Sequence, residues 1–446
     1  MAVARDDGRR VVTAFSGPVR LSRFGNSYVL ALLVAINIVN YADRTLISVL
    51  APAIQQELDL SNTQVGAITG IAFALTYGLS GLVLARWADR HGHARILVAA
   101  VATWSVMCVL TAYARSFTQL FFVRLGLGIG ESGASPASFA LIHTAFSDRA
   151  RPIAYAIFSA GATVGIGTGV AVGGWLGSEY GWRPTMMIMA APGLLLAFVF
   201  ALTVKRPAKS AGGPRMQMPS ALATAKAIGA DPLRRSLVGA YAMASFAYTG
   251  FAQWAPTFYM RTHGMSMKEV GATYSISSSG GALLGIIIGG IVVGRMLVRS
   301  APLALHLCGL LAVCAAAASA AAFLVADRTL SLTLFAIFGL AAGATYAPTI
   351  ALFQERSPGE SRAFAGATML LIAIIVGQGG GPFIVGLASD LLEAQGVQAP
   401  LATALVIAST SLLLSAYFQF AAALSTGCGE TSLAPLADGA ADEVSV

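Results

Sequence analysis

The sequence predicts an all-α membrane protein with twelve transmembrane helices in two pseudo-symmetric six-helix bundles. Three observations carry this prediction. Of the 446 residues, 56% are hydrophobic and only 11% charged, whereas a soluble domain carries about 25% charged residues. Apolar runs of roughly 20 residues, enough to cross a bilayer as a helix, recur along the whole chain. One long polar stretch, 205–235, divides these runs six from six. Membrane strands would show short alternating segments instead, and none dominates here.

The elements follow in order. A polar tail, 1–26, precedes the first run, so no separate signal peptide is expected. The first bundle, 27–204, holds spans near 27–50, 62–84, 95–114, 117–145, 152–176 and 184–204. The stretch 205–235 is rich in Lys, Arg, Pro, Gly and Ser and reads as a cytoplasmic linker. The second bundle, 236–424, holds spans near 236–258, 269–293, 301–325, 329–353, 363–389 and 400–424, before a tail at 425–446. Orientation comes from the basic residues. Arg115, Arg183, Arg261, Lys268 and Arg328 fall on one side and Arg44 and Arg124 inside spans. The remaining 21 of the 28 Lys and Arg fall on the other side. That asymmetry predicts both termini in the cytoplasm. Cys108, Cys308, Cys314 and Cys428 have no metal-ligand spacing and read as core residues without a disulfide framework.

The halves read as repeats. Val65-Gly-Ala67 in the second span recurs as Val270-Gly-Ala272 in the eighth, and Pro136 in the fourth matches Pro348 in the tenth. Repeated six-helix halves are a transporter architecture, with the binding site between them near the midplane. The segment Ala85-Arg-Trp-Ala-Asp89-Arg90-His-Gly92-His-Ala-Arg95 resembles the signature loop of the major facilitator superfamily. It has Ala85 for the usual glycine and His93-Ala94 where basic residues are expected. Further segments resemble the spinster-like branch: Asn40-Tyr-Ala-Asp43-Arg44, Arg124-x-x-x-Gly128-x-Gly130-Glu131, Gly181-Trp182-Arg183 and the stretch from Trp254 to Gly264. The resemblance implies a secondary transporter working by alternating access. For the spinster-like branch it implies amphipathic lipid cargo, such as a lysophospholipid or sphingolipid-like molecule. It also implies that Asp89, beside Arg90, helps hold a cytoplasmic gate.

Charges inside spans are costly, about 2.5–3.5 kcal/mol each at mid-membrane on insertion scales, and mark function. Asp43, Arg44, Arg124 and Glu131 are therefore the sharpest signal. Counting residues from the expected span ends puts Asp43 and Arg124 in the outer half, where they can meet, with Glu131 deeper. An arginine moving between two carboxylates would let a proton bind and leave. The bland alternative is a fixed ion-pair network joining the first and fourth spans. The second half lacks such charges and offers Tyr248, Gln253, Trp254, Ser278, Tyr346 and Gln378 as candidates for substrate binding, apolar surface with a few polar groups. A charged headgroup beside the first bundle and an acyl chain along the second would suit this division. In the fifth span Gly165, Gly169, Gly173 and Gly174 resemble the superfamily's antiporter signature, but Val170 replaces a proline. Glycines four apart are better read as a close-packing ridge.

The expectation is a proton-coupled transporter of an amphipathic solute, monomeric, in a bacterial inner membrane, with protons and membrane lipids as its other partners. A drug or organic-anion permease is the alternative within transport, and a membrane-embedded receptor the alternative outside it. No nucleophile–base set points to an enzyme. No P-loop or His/Cys cluster points to a cofactor or metal, and nothing points to nucleic acid.

Overall fold

A computed structural model of the chain describes residues 21–204, 221–357 and 362–427. Among these residues twelve long helical rods run back and forth. In the first half they are α1 (Asn26–Leu58), α2 (62–91), α3 (His93–Tyr113), α4 (117–145), α5 (Arg151–Tyr180) and α6 (Trp182–Thr203). In the second they are α7 (Pro232–Thr262), α8 (Met267–Arg299), α9 (Ala301–Leu324), α10 (Arg328–Glu355), α11 (362–394) and α12 (Pro400–Gly427). Nine of them are long and apolar enough to cross a membrane by length and composition alone. The other three are α2, α4 and α7. A π-helical turn at Ala67–Ile71 interrupts α2, and Gly133 divides α4 into Phe117–Ser132 and Ala134–Ala145.

Several bounds differ from the sequence expectation. The first rod continues to Leu58, eight residues past the expected end at 50, with Pro52 inside it. Gln55, Gln56 and Glu57 are polar without being helix-breaking, so the helix outlasts the apolar run that marks it in the sequence. The last rod runs to Gly427. The stretch 205–235 contains a helix, Ala221–Ala230, before Asp231 caps α7 through the Leu233 and Arg234 N–H groups. Residues 1–20, 205–220 and 428–446, and with them most of both tails and Cys428, lie outside the described residues. Cys108 and Cys308 are buried, but Cys314 is exposed on α9 and not in the core.

The repeat is visible in backbone detail. The Val-Gly-Ala segments of the two halves both enter π-helical turns, Ala67–Ile71 and Val270–Tyr274. Two further π-helical stretches, Ile276–Gly280 and Ile374–Gly380, lie in α8 and α11. Such turns widen one loop of a helix and recur at functional sites.

The glycines of α5 explain how α1 is seated. Side chains at Gly165, Gly169 and Gly173 would overlap Ile38, Ala42 and Leu46 in turn, so the two helices touch at successive turns along one ridge. Gly174 faces the other half instead: a Cβ there would lie 2.9 Å from the Gly271 Cα of α8. Packing accounts for the whole glycine run.

The apolar core shows how the halves meet. One cluster runs through both, joining Leu46, Leu50 and Val65 to Phe251, Phe258 and Val385. At the end that bears Leu21 and Val204, by contrast, each half has its own cluster, the second containing Leu237 and Phe353. The halves are thus fused at the end opposite the start of α1 and separate towards the other.

Gly169→Leu would force α5 away from α1, an overpacking cost of about 1–3 kcal/mol. It should lower the melting temperature of the detergent-purified protein. Gly290→Leu, where nothing lies within 4 Å, should leave it unchanged. Equal melting in both variants would contradict the ridge.

Candidate functional site

The longer first rod changes the depth of its charges. Arg44 lies fourteen residues before Leu58, and Glu131 lies fourteen after Phe117. At a rise of about 1.5 Å per residue the two are level, and they meet. Arg44 Nε donates to Glu131 Oε2 at 2.9 Å, and Nη2 donates to the same oxygen. Among the described residues every other ion pair lies near helix ends, as with Arg183–Glu57, Arg234–Asp231 and Lys268–Glu179.

From sequence, Arg124 is expected to meet Asp43 with Glu131 deeper; the hydrogen-bonded ion pair is instead Arg44 with Glu131, while Arg124 and Asp43 interact without one. Consecutive residues point about 100° apart around a helix. Arg44 therefore faces the space between the halves, while Asp43 faces into the first half beside Trp104 and Cys108. Asp43 is 1% exposed and Arg124 3%. Each is within electrostatic reach of the other and of Glu131. Neither Asp43 carboxylate oxygen completes a hydrogen bond, although Cys108 and Trp104 approach it; Arg124 Nε and Nη2 have no partner, and Glu131 Oε1 completes no bond although Asn40 approaches Glu131. Buried polar groups are nearly always paired, and this cluster gathers five such atoms that are not.

Local sequence explains the presentation. A side chain at Gly128 would overlap Thr76 and crowd the Phe73 carbonyl of α2, and one at Gly130 would crowd the Trp104 backbone of α3. Glycine at both positions lets α4 press against two neighbours and aims Glu131 at α1. The Arg44 guanidinium is walled by aromatic rings, 4.7 Å from the Phe73 centroid, 4.8 Å from Tyr41 and 5.4 Å from Tyr77. Such contacts are worth about 0.5–2 kcal/mol each and favour a cation there.

A cavity of about 110 Å³ opens at Arg44 between the halves. Arg44 and Arg124 line it from the first half; Tyr248, Gln253 and Gln378 line it from the second. Gln253 is 6% exposed and its amide nitrogen lacks a partner. A smaller apolar recess adjoins it, lined by Tyr248, Tyr274, Ser278 and Phe338. Four of the six second-half candidates therefore reach this space. Trp254 does not. It is fully buried, and its indole N–H donates to the Pro382 carbonyl at 2.8 Å, pinning α7 to α11 behind the wall. Tyr346 lies outside the lining and its hydroxyl pairs with that of Tyr241. Tyr346 nonetheless stands within electrostatic reach of Tyr41 and Tyr248 of the wall. Asp89 lies in the last turn of α2 and its side chain is outside the described residues; Arg90 beside it is exposed. Sequence reasoning missed Tyr41, Thr45 and Ser48, which line the cavity with Arg44. Tyr41 and Ser48 lie three before and four after Arg44, and Thr45 four after Tyr41, the helical spacing that marks a shared face.

Comparisons with known proteins bear on the fold. The family model described as Major Facilitator Superfamily matches residues 33–382. An "MFS-type efflux pump" of Mycolicibacterium smegmatis is 34% identical over 376 residues, 82% of this chain and 85% of that one. A "Probable L-galactonate transporter" of Escherichia coli is 31% identical over 180 residues, 40% of this chain and 39% of that one. Among solved structures, a bacterial homolog to the human lysosomal transporter spinster, inward-facing and unoccupied, superposes with a TM-score of 0.81. It shares 28% identity and covers 90% of this chain and 97% of its own.

Arg44→Ala would leave Glu131 buried without its donors, a loss of about 3–5 kcal/mol. Arg44→Lys keeps the charge but not the planar group that meets Glu131 and the rings, and should cost less. Melting temperatures in detergent should fall in the order wild type, lysine, alanine. Indistinguishable melting in all three would contradict a buried pair of this strength.

Proposed function

The chain belongs to the Major Facilitator Superfamily, and from that premise we propose that it is a proton-coupled secondary transporter of an amphipathic, acid-bearing solute. It is a multi-pass integral membrane protein of a transporter family and not an enzyme. The observation that carries the finer reading is the buried cluster itself. One carboxylate, Glu131, is held by Arg44 at the cavity wall, and a second, Asp43, is buried beside Arg124 without a hydrogen bond. Two carboxylates and two arginines offer more than one pairing. Exchange of arginine between carboxylates frees one of them to take a proton. Alternating access would expose that site first to one side and then to the other.

The cargo follows from the walls. Arg44 and Arg124 suit an anionic headgroup, a phosphate or carboxylate. The recess around Tyr274 and Phe338 suits an apolar chain. A lysophospholipid or sphingolipid-like molecule has both parts. A second reading, an organic-anion permease, is favoured by the unpartnered Arg124 Nε and Nη2 and by the named cargo of the galactonate relative. The distribution of Lys and Arg supports cytoplasmic termini. On that orientation the fused end is external and the cavity faces inward. Asp89 and Arg90 then stand at the cytoplasmic side as gate residues. An inner-membrane location and a monomeric state complete the proposal.

Purified protein in liposomes tests it, with solute uptake driven by an imposed pH gradient. Glutamine keeps the shape of protonated Glu131 but releases no proton. Glu131→Gln should therefore reduce gradient-driven accumulation to background and change solute affinity by less than about threefold. Full proton-driven accumulation by that variant would make the cluster structural and sink the coupling assignment. Uptake of lysolipid but not of small organic acids, or the reverse, decides between the two cargoes.

A further inference from the structure

Arg261 belongs to a segment that stands out in the sequence, yet it is remote from the cavity. It lies in the last turn of α7, at the fused end, and reaches into the first half. Its Nη1 donates to Asn62 Oδ1 at 3.2 Å and its Nη2 to Gln55 Oε1 at 3.0 Å. Gln55 and Asn62 are buried, and Gln55 Nε2 donates to Asn62 Oδ1 at 3.0 Å, so the three side chains form a closed set. Asn62 Nδ2 also donates to Ser389 Oγ of α11 at 3.3 Å.

Asp390, the next residue on α11, makes a second link. Its Oδ1 accepts from the Asn62 N–H at 3.1 Å. Its Oδ2 accepts from the Thr63 N–H at 2.7 Å and the Thr63 hydroxyl at 2.6 Å. A carboxylate of the second half thus caps the first turn of a helix in the first half. A helix start leaves four N–H groups without partners and carries the positive end of the dipole. Ser61 satisfies only the Gln64 N–H, in a reciprocal cap. The Asn62 and Thr63 N–H groups are left for Asp390, and they have it only while the halves touch. The opposite seam at this end, α5 against α8, is backbone contact at Gly174–Gly271 plus the exposed pair Lys268–Glu179, 3.3 Å apart.

We propose that Asp390 with Asn62 and Thr63, and Arg261 with Gln55 and Asn62, form a two-part latch that holds this end of the transporter shut. The proposal rests on alternating access, in which this end must open. Opening strips the Asn62 and Thr63 N–H groups of their acceptor, leaving only the Ser61–Gln64 cap, and leaves Arg261 without its amide partners. The inward-facing state is therefore the resting one, and the latch sets how often the other is visited.

Accessibility tests this without knowledge of the cargo. In a chain with its four cysteines replaced, Thr69→Cys supplies the sole thiol. Thr69 lines the cavity, is 8% exposed and lies about 10 Å along α2 from Asn62. A membrane-impermeant maleimide is applied to the face that carries Ser61, and separately to the opposite face. Asp390→Ala and Arg261→Ala should each speed labelling from the Ser61 face about tenfold and slow it from the other. Thr63→Ala, which keeps both backbone donors, should have a smaller effect in the same direction. If an alanine variant does not yield folded protein, Asp390→Asn is judged by the same pair of rates. Labelling at the parent rate in the folded variants overturns the latch, as does a rise from both faces at once, which signals local loosening. Because the readout is the thiol, failure of every candidate cargo in liposomes would refute the transport reading and leave this result standing.

Discussion

Arg44 meeting Glu131 inside the helical rods is the constraint on which the arrangement of the first half depends. An ionised pair in so apolar a place survives only if both partners are held in register. The surrounding structure supplies that register from several directions. Gly128 and Gly130 allow α4 to close on α2 and α3, which places Glu131. The ridge of Gly165, Gly169 and Gly173 seats α5 on another face of α1, leaving the Arg44 face open to the cavity. Three aromatic rings close around the guanidinium. The same packing leaves Asp43 and Arg124 buried with hydrogen-bonding capacity unused, the condition under which a small change in geometry can redistribute charge.

The second half contributes what the first lacks. Its cavity wall is aromatic and amide, with Tyr248, Gln253 and Gln378 and no ionised group. Charge on one side and uncharged amphipathic surface on the other define an asymmetric chamber within a pseudo-symmetric fold. Duplicated backbones therefore serve two chemistries: the repeat is retained in helix order and in the paired π-helical turns, and abandoned in the side chains that face the cavity.

The two ends of the molecule differ for a physical reason as well. At the fused end the halves share one apolar core and satisfy each other's polar groups, Asp390 on the α2 start and Arg261 on Gln55 and Asn62. Towards the other end each half keeps its own core. Closure at one end and separation at the other is the geometry that a rocking transporter adopts in one of its states, and the solved spinster homolog with which it superposes is inward-facing.

The sequence by itself determined the class and the helical order, and it marked the charges buried within the spans. Hydrophobicity over about 20 residues is a one-dimensional property, and a charge within it is costly wherever the neighbours lie. Asp43, Arg44, Arg124 and Glu131 were legible for that reason. Only the tertiary structure decided which arginine holds which carboxylate. That choice turns on where α1 ends and on the angle between residues 43 and 44, and apolarity marks neither. It likewise decided that Trp254 packs behind the wall while Gln253, one residue earlier, faces the cavity: neighbours on a helix point different ways, and residue type does not say which way is inward. The contacts of Asp390 with Asn62 and Thr63 span more than 320 positions of the chain. Polar residues at helix ends are ordinary in sequence, and only the meeting of the two halves gives these a role.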